Sequence, residues 1–223
     1  MTNLFRLLPL LLVAGLSFAA SKPHVIGLGK FTPARLLVGP DENQPFEIKV
    51  RGLYVDGRLK EFTLGAAHDV TDRFFVVRRV FRLNDVLPAD GNTAPKWRWQ
   101  RGGWLLVDRL SGHISQLALP EFDTYYSNSS WYRDYVAYCG IADDGKKLYA
   151  VVAQIGRRKP VLKKPLKENT SPIEDLPDSG CSSPMWARQP SRVTFAIGGQ
   201  TLTYSIRGHD AEVLVVNEDE ETE

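Results

Sequence analysis

The stretch YVAYCGIADDGKKLYAVVAQIGRRKPVL, residues 135–162, places two apolar runs on either side of Asp143-Asp144-Gly145. This arrangement predicts a β-hairpin, because Asp and Gly accept the backbone angles that a tight turn requires. The second run, residues 148–155, is apolar at almost every position, which indicates a strand that is covered on both faces. Adjacent aspartates in an extended chain point to opposite sides, so we interpret this pair as turn residues and not as a catalytic pair.

The same alternation of short apolar runs and turn residues continues along most of the chain. Further turn sequences are Val55-Asp56-Gly57, Arg109-Leu110-Ser111-Gly112 and Gly198-Gly199. The other predicted strands are residues 46–54, 58–64, 73–83, 97–99, 104–108, 113–119, 193–197, 201–206 and 211–216. We expect Arg101-Gly102-Gly103 to interrupt the chain between two of these strands. The pattern predicts an all-β fold of antiparallel hairpins, in a propeller-like or β-sandwich arrangement.

The N-terminal residues have the composition of an export signal. Arg6 precedes an apolar run at residues 7–16, and Ser17-Phe18-Ala19 follows as a small-x-small cleavage site. The run is too short to span a bilayer, so residues 1–19 are predicted to be a signal peptide, and no transmembrane segment is expected. The mature chain is therefore predicted to be soluble and to be periplasmic or extracellular.

The rest of the chain is predicted to be a single all-β domain, residues 20–216. Within it, residues 166–190 are rich in proline, serine and acidic side chains, which is typical of a long surface loop. Residues 217–223, NEDEETE, form an acidic tail.

Composition excludes some classes of function. The chain has 223 residues, of which 43% are hydrophobic and 24% charged, and a formal net charge of +2. A charge this small implies no general attraction to nucleic acid, and no specific nucleic-acid partner is predicted. The known hydrolase, metalloprotease and phosphate-binding motifs are absent from the sequence. The single histidines at positions 24, 68, 113 and 209 lack the spacing of a zinc site, so neither metal nor cofactor is predicted.

The two cysteines, Cys139 and Cys181, are an even number in a chain predicted to enter an oxidising compartment. A disulfide between them is therefore the expected state. The alternative is a pair of buried free thiols.

The segment FDTYYSNSSWYRDY, residues 122–135, concentrates aromatic and charged side chains. This composition suits the stacking of a sugar or a contact with another protein. The candidate binding residues here are Tyr125, Tyr126, Trp131, Tyr132 and Arg133. The alternative is that the aromatic rings pack in the core, above all the ring of Trp131.

The segment RRKPVLKKPLK, residues 157–167, carries six positive charges and no negative one. One interpretation is a strip that binds anions, with Arg157, Arg158 and Lys159 as contacts. The interpretation that we favour is an edge strand, because lysine and proline protect such strands from pairing with other chains.

Two units of the sequence resemble parts of bacterial β-propeller proteins. The unit GGWLLVDRLSGHISQL is similar to the strand, Ser-Gly turn and strand of propeller repeats, and YCGIADDGKKLYAVV is similar to the blade hairpins of TolB-type proteins. The two units lie within a range of about 50 residues, 102–152, and the resemblance implies a propeller-like arrangement.

Together these features predict an exported protein that binds or scaffolds a protein or a glycan. The alternative is an extracytoplasmic hydrolase acting on a polymer, with Asp123 and Asp134 as a pair of catalytic carboxylates.

Overall fold

The computed structural model describes residues 23–36, 46–86, 94–168, 181–189, 191–197, 199–207 and 210–214. The predicted signal peptide, the acidic tail and the middle of the proline-rich segment lie outside these residues. The strands, in chain order, are β1 (Ile26–Leu28), β2 (Thr32–Leu36), β3 (Phe46–Val55), β4 (Arg58–Asp69), β5 (Phe74–Asn84), β6 (Trp97–Asp108), β7 (Ile114–Leu117), β8 (Ser129–Tyr132), β9 (Tyr135–Ile141), β10 (Lys147–Gln154), β11 (Leu162–Glu168), β12 (Met185–Ala187), β13 (Arg192–Ile197), β14 (Gln200–Arg207) and β15 (Asp210–Leu214).

The prediction of an all-β fold built from antiparallel hairpins is confirmed. Over the described ranges, no helix is long and apolar enough to cross a membrane. The choice between a propeller and a sandwich stays a prediction.

The first sheet contains β1 to β7, and its pairings close on themselves. Strands β2 to β6 follow one another in antiparallel pairs, and β2 then pairs in parallel with β6 at Leu36 and Trp99. β1 pairs with the C-terminal end of β3, on the same edge as β2, and β7 pairs with the C-terminal half of β6. Five strands therefore form a closed ring.

β6 differs from the prediction, because Arg101-Gly102-Gly103 does not interrupt it. Arg78 pairs with Trp104 and Val80 with Arg101, so two glycines lie opposite the single residue Arg79. A β-carbon on Gly102 would lie 3.1 Å from the Arg79 side chain. The glycines thus form a β-bulge that keeps the strand continuous.

The second sheet (β8–β11) and the third sheet (β12–β15) are each four consecutive antiparallel strands. Their facing side chains form one hydrophobic cluster, and the largest members of that cluster on the third sheet are Phe195 and Tyr204. The residues of the second sheet in this cluster are Ala137, Cys139, Ala150, Val152 and Leu162. The two sheets therefore pack face to face.

The alternate residues of β9 and β10 point to the opposite side of the second sheet. Val136, Tyr138 and Val151 are fully buried there against a group of side chains that includes Phe122 and Trp131. The prediction that the strand within residues 148–155 is covered on both faces is thus confirmed.

The predicted turns are present where the structure describes them. Asp56 and Gly57 have φ of 52° and 75°, as the β3–β4 hairpin requires, and Gly145 has φ of 67° between β9 and β10. Asp144 accepts a hydrogen bond from the Lys146 backbone N–H at 3.0 Å. The Asp-Asp-Gly sequence is therefore a turn.

The prediction of a surface loop over residues 166–190 is wrong at both ends. β11 continues to Glu168 and β12 occupies Met185–Ala187. Pro165 lies opposite Tyr149 at a register shift, and β11 is the edge of its sheet, where a proline costs no ladder hydrogen bond. Composition therefore predicted a loop that is too long, because edge strands tolerate the same proline and polar residues as loops.

The predicted disulfide is present. Cys139 on β9 is bonded to Cys181, and the Cα atoms of these two cysteines are 6.5 Å apart. Cys181 also forms an isolated β-bridge with Ile197 of the third sheet. The bond therefore joins the second sheet to the third. Trp186 on β12 adds a second link, because its indole N–H donates to the Ser130 carbonyl at 3.0 Å.

Candidate functional site

A cavity of about 400 Å³ lies beside the turn end of the β9–β10 hairpin, and we call it the hairpin cleft. Its apolar walls include Phe122, Tyr126 and Ile141. Its polar lining includes three carboxylates, from Glu121, Asp123 and Asp143. Aromatic and acidic residues therefore line the same space.

One wall of the hairpin cleft is the segment 119–127, which is fixed to β9 through its backbone. The Ile141 N–H donates to the Glu121 carbonyl at 2.8 Å, and the Tyr138 hydroxyl donates to the Pro120 carbonyl at 2.6 Å. Glu121 has a positive φ of 56°. A β-carbon on Gly140 would lie 2.9 Å from the Glu121 backbone oxygen, so this close approach requires glycine.

Asp123 organises the next turn of the same wall. Its Oδ1 accepts hydrogen bonds from the backbone N–H groups of Tyr125 at 2.7 Å and Tyr126 at 2.9 Å. Its own N–H donates to the Ser127 hydroxyl oxygen, and that hydroxyl donates to the Cys139 carbonyl at 2.7 Å. The positions of Asp123 and Tyr126 are therefore set by a connected set of hydrogen bonds.

Behind the wall, Arg78 supports Phe122. The guanidinium carbon of Arg78 lies 4.6 Å from the centre of the Phe122 ring, and its Nη2 donates to the Thr124 carbonyl at 2.8 Å. Burial, together with the neighbouring charge of Arg101, lowers the pKa of Arg78 to about 10, against a smaller opposing effect of Asp123. Arg78 therefore stays charged at neutral pH.

The charges that face the hairpin cleft are mainly negative. Glu121 forms an ion pair with Lys163 of β11 at 2.5 Å. The hydrogen bond that the Lys163 ammonium donates to Glu121 is the main cause that raises the pKa of Lys163, and Asp143 adds a smaller attraction. Two of the three carboxylates, those of Glu121 and Asp143, thus share one lysine at the surface. Burial, with a contribution from Asp123, raises the pKa of Tyr126, so its phenol is neutral and can donate a hydrogen bond.

The predicted binding residues of segment 122–135 do not form one surface. Tyr126 lines the hairpin cleft. Trp131 packs inside, with its ring centre 5.0 Å from that of Trp104 and 5.8 Å from that of His68. The position of Trp131 thus agrees with the alternative interpretation, in which its ring packs inside the protein.

The other three residues of that set take different positions. The Tyr125 carbonyl accepts a hydrogen bond from Arg101 at 3.5 Å. The Tyr132 ring lies 5.5 Å from Trp186, and Arg133, in the β8–β9 turn, lies over the Tyr132 ring at 5.4 Å.

The predicted basic residues Arg157, Arg158 and Lys159 are exposed in the β10–β11 turn. The strand that follows is the edge of its sheet and contains Lys163, Lys164 and Pro165, as the edge-strand interpretation expects. Arg157 is at the end of β9 where Tyr135 lies, whereas the hairpin cleft is at the Ile141 end. A seven-residue strand is about 20 Å long, so Arg157 and Tyr126 do not share a site.

The same separation applies to the proposed catalytic carboxylates. Asp123 lines the hairpin cleft, whereas Asp134 is at the other end of β9 and accepts a hydrogen bond from Gln154 at 2.8 Å. Glycosidase carboxylates are about 5 to 9.5 Å apart, so the structure does not bring Asp123 and Asp134 together as such a pair.

Sequence reasoning missed Glu121 as a residue of the site and considered Asp143 only as part of a turn. Both enter the cleft because the Ile141 N–H pairs with the Glu121 carbonyl. That pairing depends on the path of segment 119–127 over the second sheet, for which the sequence gives no local signal.

Two further observations bear on the chemistry of the chain. In the ranges that the structure covers, no group of three or more His, Cys, Asp or Glu side chains could hold a metal ion. No protein-family model, no curated protein and no solved structure matches the chain. The function must therefore be argued from the cleft itself.

We expect Tyr138→Phe to make the protein less stable at neutral pH and less sensitive to alkaline pH. Burial raises the pKa of Tyr138 above its ordinary value of about 10, so the unfolded chain loses this proton first and wild-type stability falls as pH rises above 10. The variant lacks that ionisation and also lacks the bond to Pro120, which contributes about 1 kcal/mol. Urea unfolding between pH 7 and 11 measures both effects. An equal dependence of unfolding free energy on pH in the two proteins would contradict the raised pKa of Tyr138.

Proposed function

We propose that the chain is an exported binding module for a protein or a glycan, and that the hairpin cleft is its ligand site. The ligand that fits brings hydrogen-bond donors or positive charge, either sugar hydroxyls or the basic side chains of a protein. The observation that carries this proposal is the joint placement of two aromatic rings and three carboxylates around one cavity.

Three features of the cleft support this role. Carboxylate oxygens accept hydrogen bonds from hydroxyls and from Lys or Arg side chains. The ring of Tyr126 suits a sugar ring or a cation, and the Phe122 ring beside it is held in place by Arg78 and Tyr138. The wall that carries them is fixed to β9 by backbone hydrogen bonds, so little ordering is needed on binding.

Export is part of the same proposal. The predicted signal peptide and the disulfide between Cys139 and Cys181 support an oxidising compartment. The four consecutive antiparallel strands of the second and third sheets are also compatible with the resemblance to propeller blades.

A glycan array and an array of basic peptides, both probed with the purified chain, test the proposal. For any ligand found, we expect Tyr126→Ala to weaken binding about tenfold or more, because it removes one aromatic wall. We expect Asp143→Asn to weaken it less. Asp143 is exposed, so the change should leave the fold intact.

Matched controls are available elsewhere on the surface. Phe31→Ala removes another exposed aromatic ring, and Asp72→Asn removes another exposed carboxylate, both on the first sheet side of the molecule. Equal losses in the controls, or full binding by Tyr126→Ala, would rule out the hairpin cleft as the site.

A further inference from the structure

One end of the strand ring carries exposed aromatic side chains on the same face as an arginine. Phe46 begins β3 and is 58% exposed, and Trp97 begins β6 and is 57% exposed. Phe46 pairs with Leu36, Leu36 pairs with Trp99, and Trp99 pairs with Arg82. Because paired residues point to the same side of a sheet, the side chains of Phe46 and Arg82 lie on one face. Trp97 lies two residues from Trp99 and therefore belongs to the same face.

The Arg82 guanidinium is surrounded by aromatic rings. Its Cζ lies 5.3 Å from the centre of the Trp99 ring, 5.6 Å from that of Phe62 and 5.7 Å from that of Trp97. Stacking of this kind limits the orientations of the guanidinium but leaves its N–H donors available at the edge.

Among the residues that the structure describes, Arg82 differs from its neighbouring arginines in having no carboxylate partner. Arg79 on the same strand is paired with Glu61 at 3.0 Å, and Arg98 on the adjacent strand is paired with Asp85 at 2.6 Å. In the described part of the chain, Arg82 makes ring contacts but no ion pair. An exposed and oriented guanidinium that no described carboxylate neutralises is suited to bind an anion.

The backbone beside Trp97 is also fixed. The Asn84 side-chain oxygen accepts hydrogen bonds from the N–H groups of Lys96 at 3.0 Å and Val86 at 3.3 Å. The Asp85 N–H donates to the Lys96 carbonyl at 2.9 Å. The exposed indole of Trp97 therefore extends from backbone that hydrogen bonds hold to the end of β5.

We propose that Arg82, Trp97 and Phe46 form a second binding site, which takes an acidic polysaccharide. The uronate carboxylate pairs with the Arg82 guanidinium through two parallel N–H···O bonds. The pyranose ring of the same residue stacks on the exposed face of Trp97, and the next ring along the chain lies toward Phe46. One exposed indole beside the cation, with a further exposed ring two strands away on β3, favours a chain of acidic sugar rings over an acidic peptide. This site is on the first sheet and is independent of the hairpin cleft.

Titration calorimetry of the purified chain with polygalacturonate at low salt tests this site. We expect Arg82→Gln and Trp97→Ala each to weaken binding about tenfold or more, and Arg82→Lys to weaken it by an intermediate factor because lysine cannot form the bidentate pair. Arg58→Gln, which removes another exposed arginine, should leave binding unchanged. Fully methyl-esterified polygalacturonate, which has the same rings without the charge, should not bind.

Thermal unfolding of each variant confirms that a loss of binding is not a loss of fold. Absence of polygalacturonate binding by the wild type, or equal binding by Arg82→Gln, would overturn the proposal. So would equal binding of the methyl ester, or an equal loss in Arg58→Gln. Polyglutamate is the peptide control, and Arg82-dependent binding of polyglutamate without binding of polygalacturonate would also overturn it.

Discussion

Reduction of the Cys139–Cys181 disulfide is expected to lower the free energy of unfolding by about 4 kcal/mol, because the bond closes a loop with a sequence separation of 42 residues. In the folded state the bond joins the second sheet to the third, and its loss leaves the chain that enters β12 held by backbone contacts to β13. Urea unfolding with and without dithiothreitol measures the difference.

The double variant Cys139→Ala/Cys181→Ala separates the bond from other effects of the reductant. Its stability should be close to that of the reduced wild type, and dithiothreitol should not change it. Because Cys139 is buried, the variant should lose slightly more than reduction does. A loss below about 1 kcal/mol on reduction would show that the bond constrains the unfolded chain far less than the loop length implies.

Phe195→Ala is expected to lower the free energy of unfolding by about 3 to 5 kcal/mol. Phe195 is fully buried on β13, packs edge to face on Tyr204 at 6.0 Å, and contributes to the one cluster shared by the second and third sheets. Its removal leaves a cavity between two sheets whose backbones cannot easily close over it. Chemical denaturation followed by circular dichroism measures the change.

Leu110→Ala is the control for this prediction, because Leu110 is 60% exposed in the β6–β7 turn. It should change stability by less than about 0.5 kcal/mol. If Phe195→Ala were equally mild, the two sheets would not share a core.

The strands were predictable where a local signal encodes them. Asp56-Gly57 and Asp144-Gly145 favour tight turns because they accept positive φ angles. Each turn then fixes the pairing of the two strands that flank it. β1, β2, β8 and β12 have no such signal. They are strands because partners elsewhere in the chain accept their hydrogen bonds, as β3 does for β1 and β2.

The candidate site was predictable only in part, for the same reason. Composition identified segment 122–135 as unusual, and Tyr126 does line the cleft. Composition could not say which rings face inward, and Trp131 is partly buried against Trp104 because the second sheet packs on the first. Likewise, nothing local in the sequence brings Arg82 to Trp97 and Trp99, because that contact follows from the β5–β6 register and the bulge at Gly102-Gly103.

The parallel pairing of Leu36 with Trp99 has a consequence for biogenesis. During synthesis β2 leaves the ribosome long before β6, so one side of β2 has no native partner over that interval. Contacts between residues so distant in sequence form slowly, and an unpaired strand is open to mispairing and to proteases. A nascent chain that stops before residue 97 should consequently be protease-sensitive at its N-terminal strands, and completion of β6 should bring resistance.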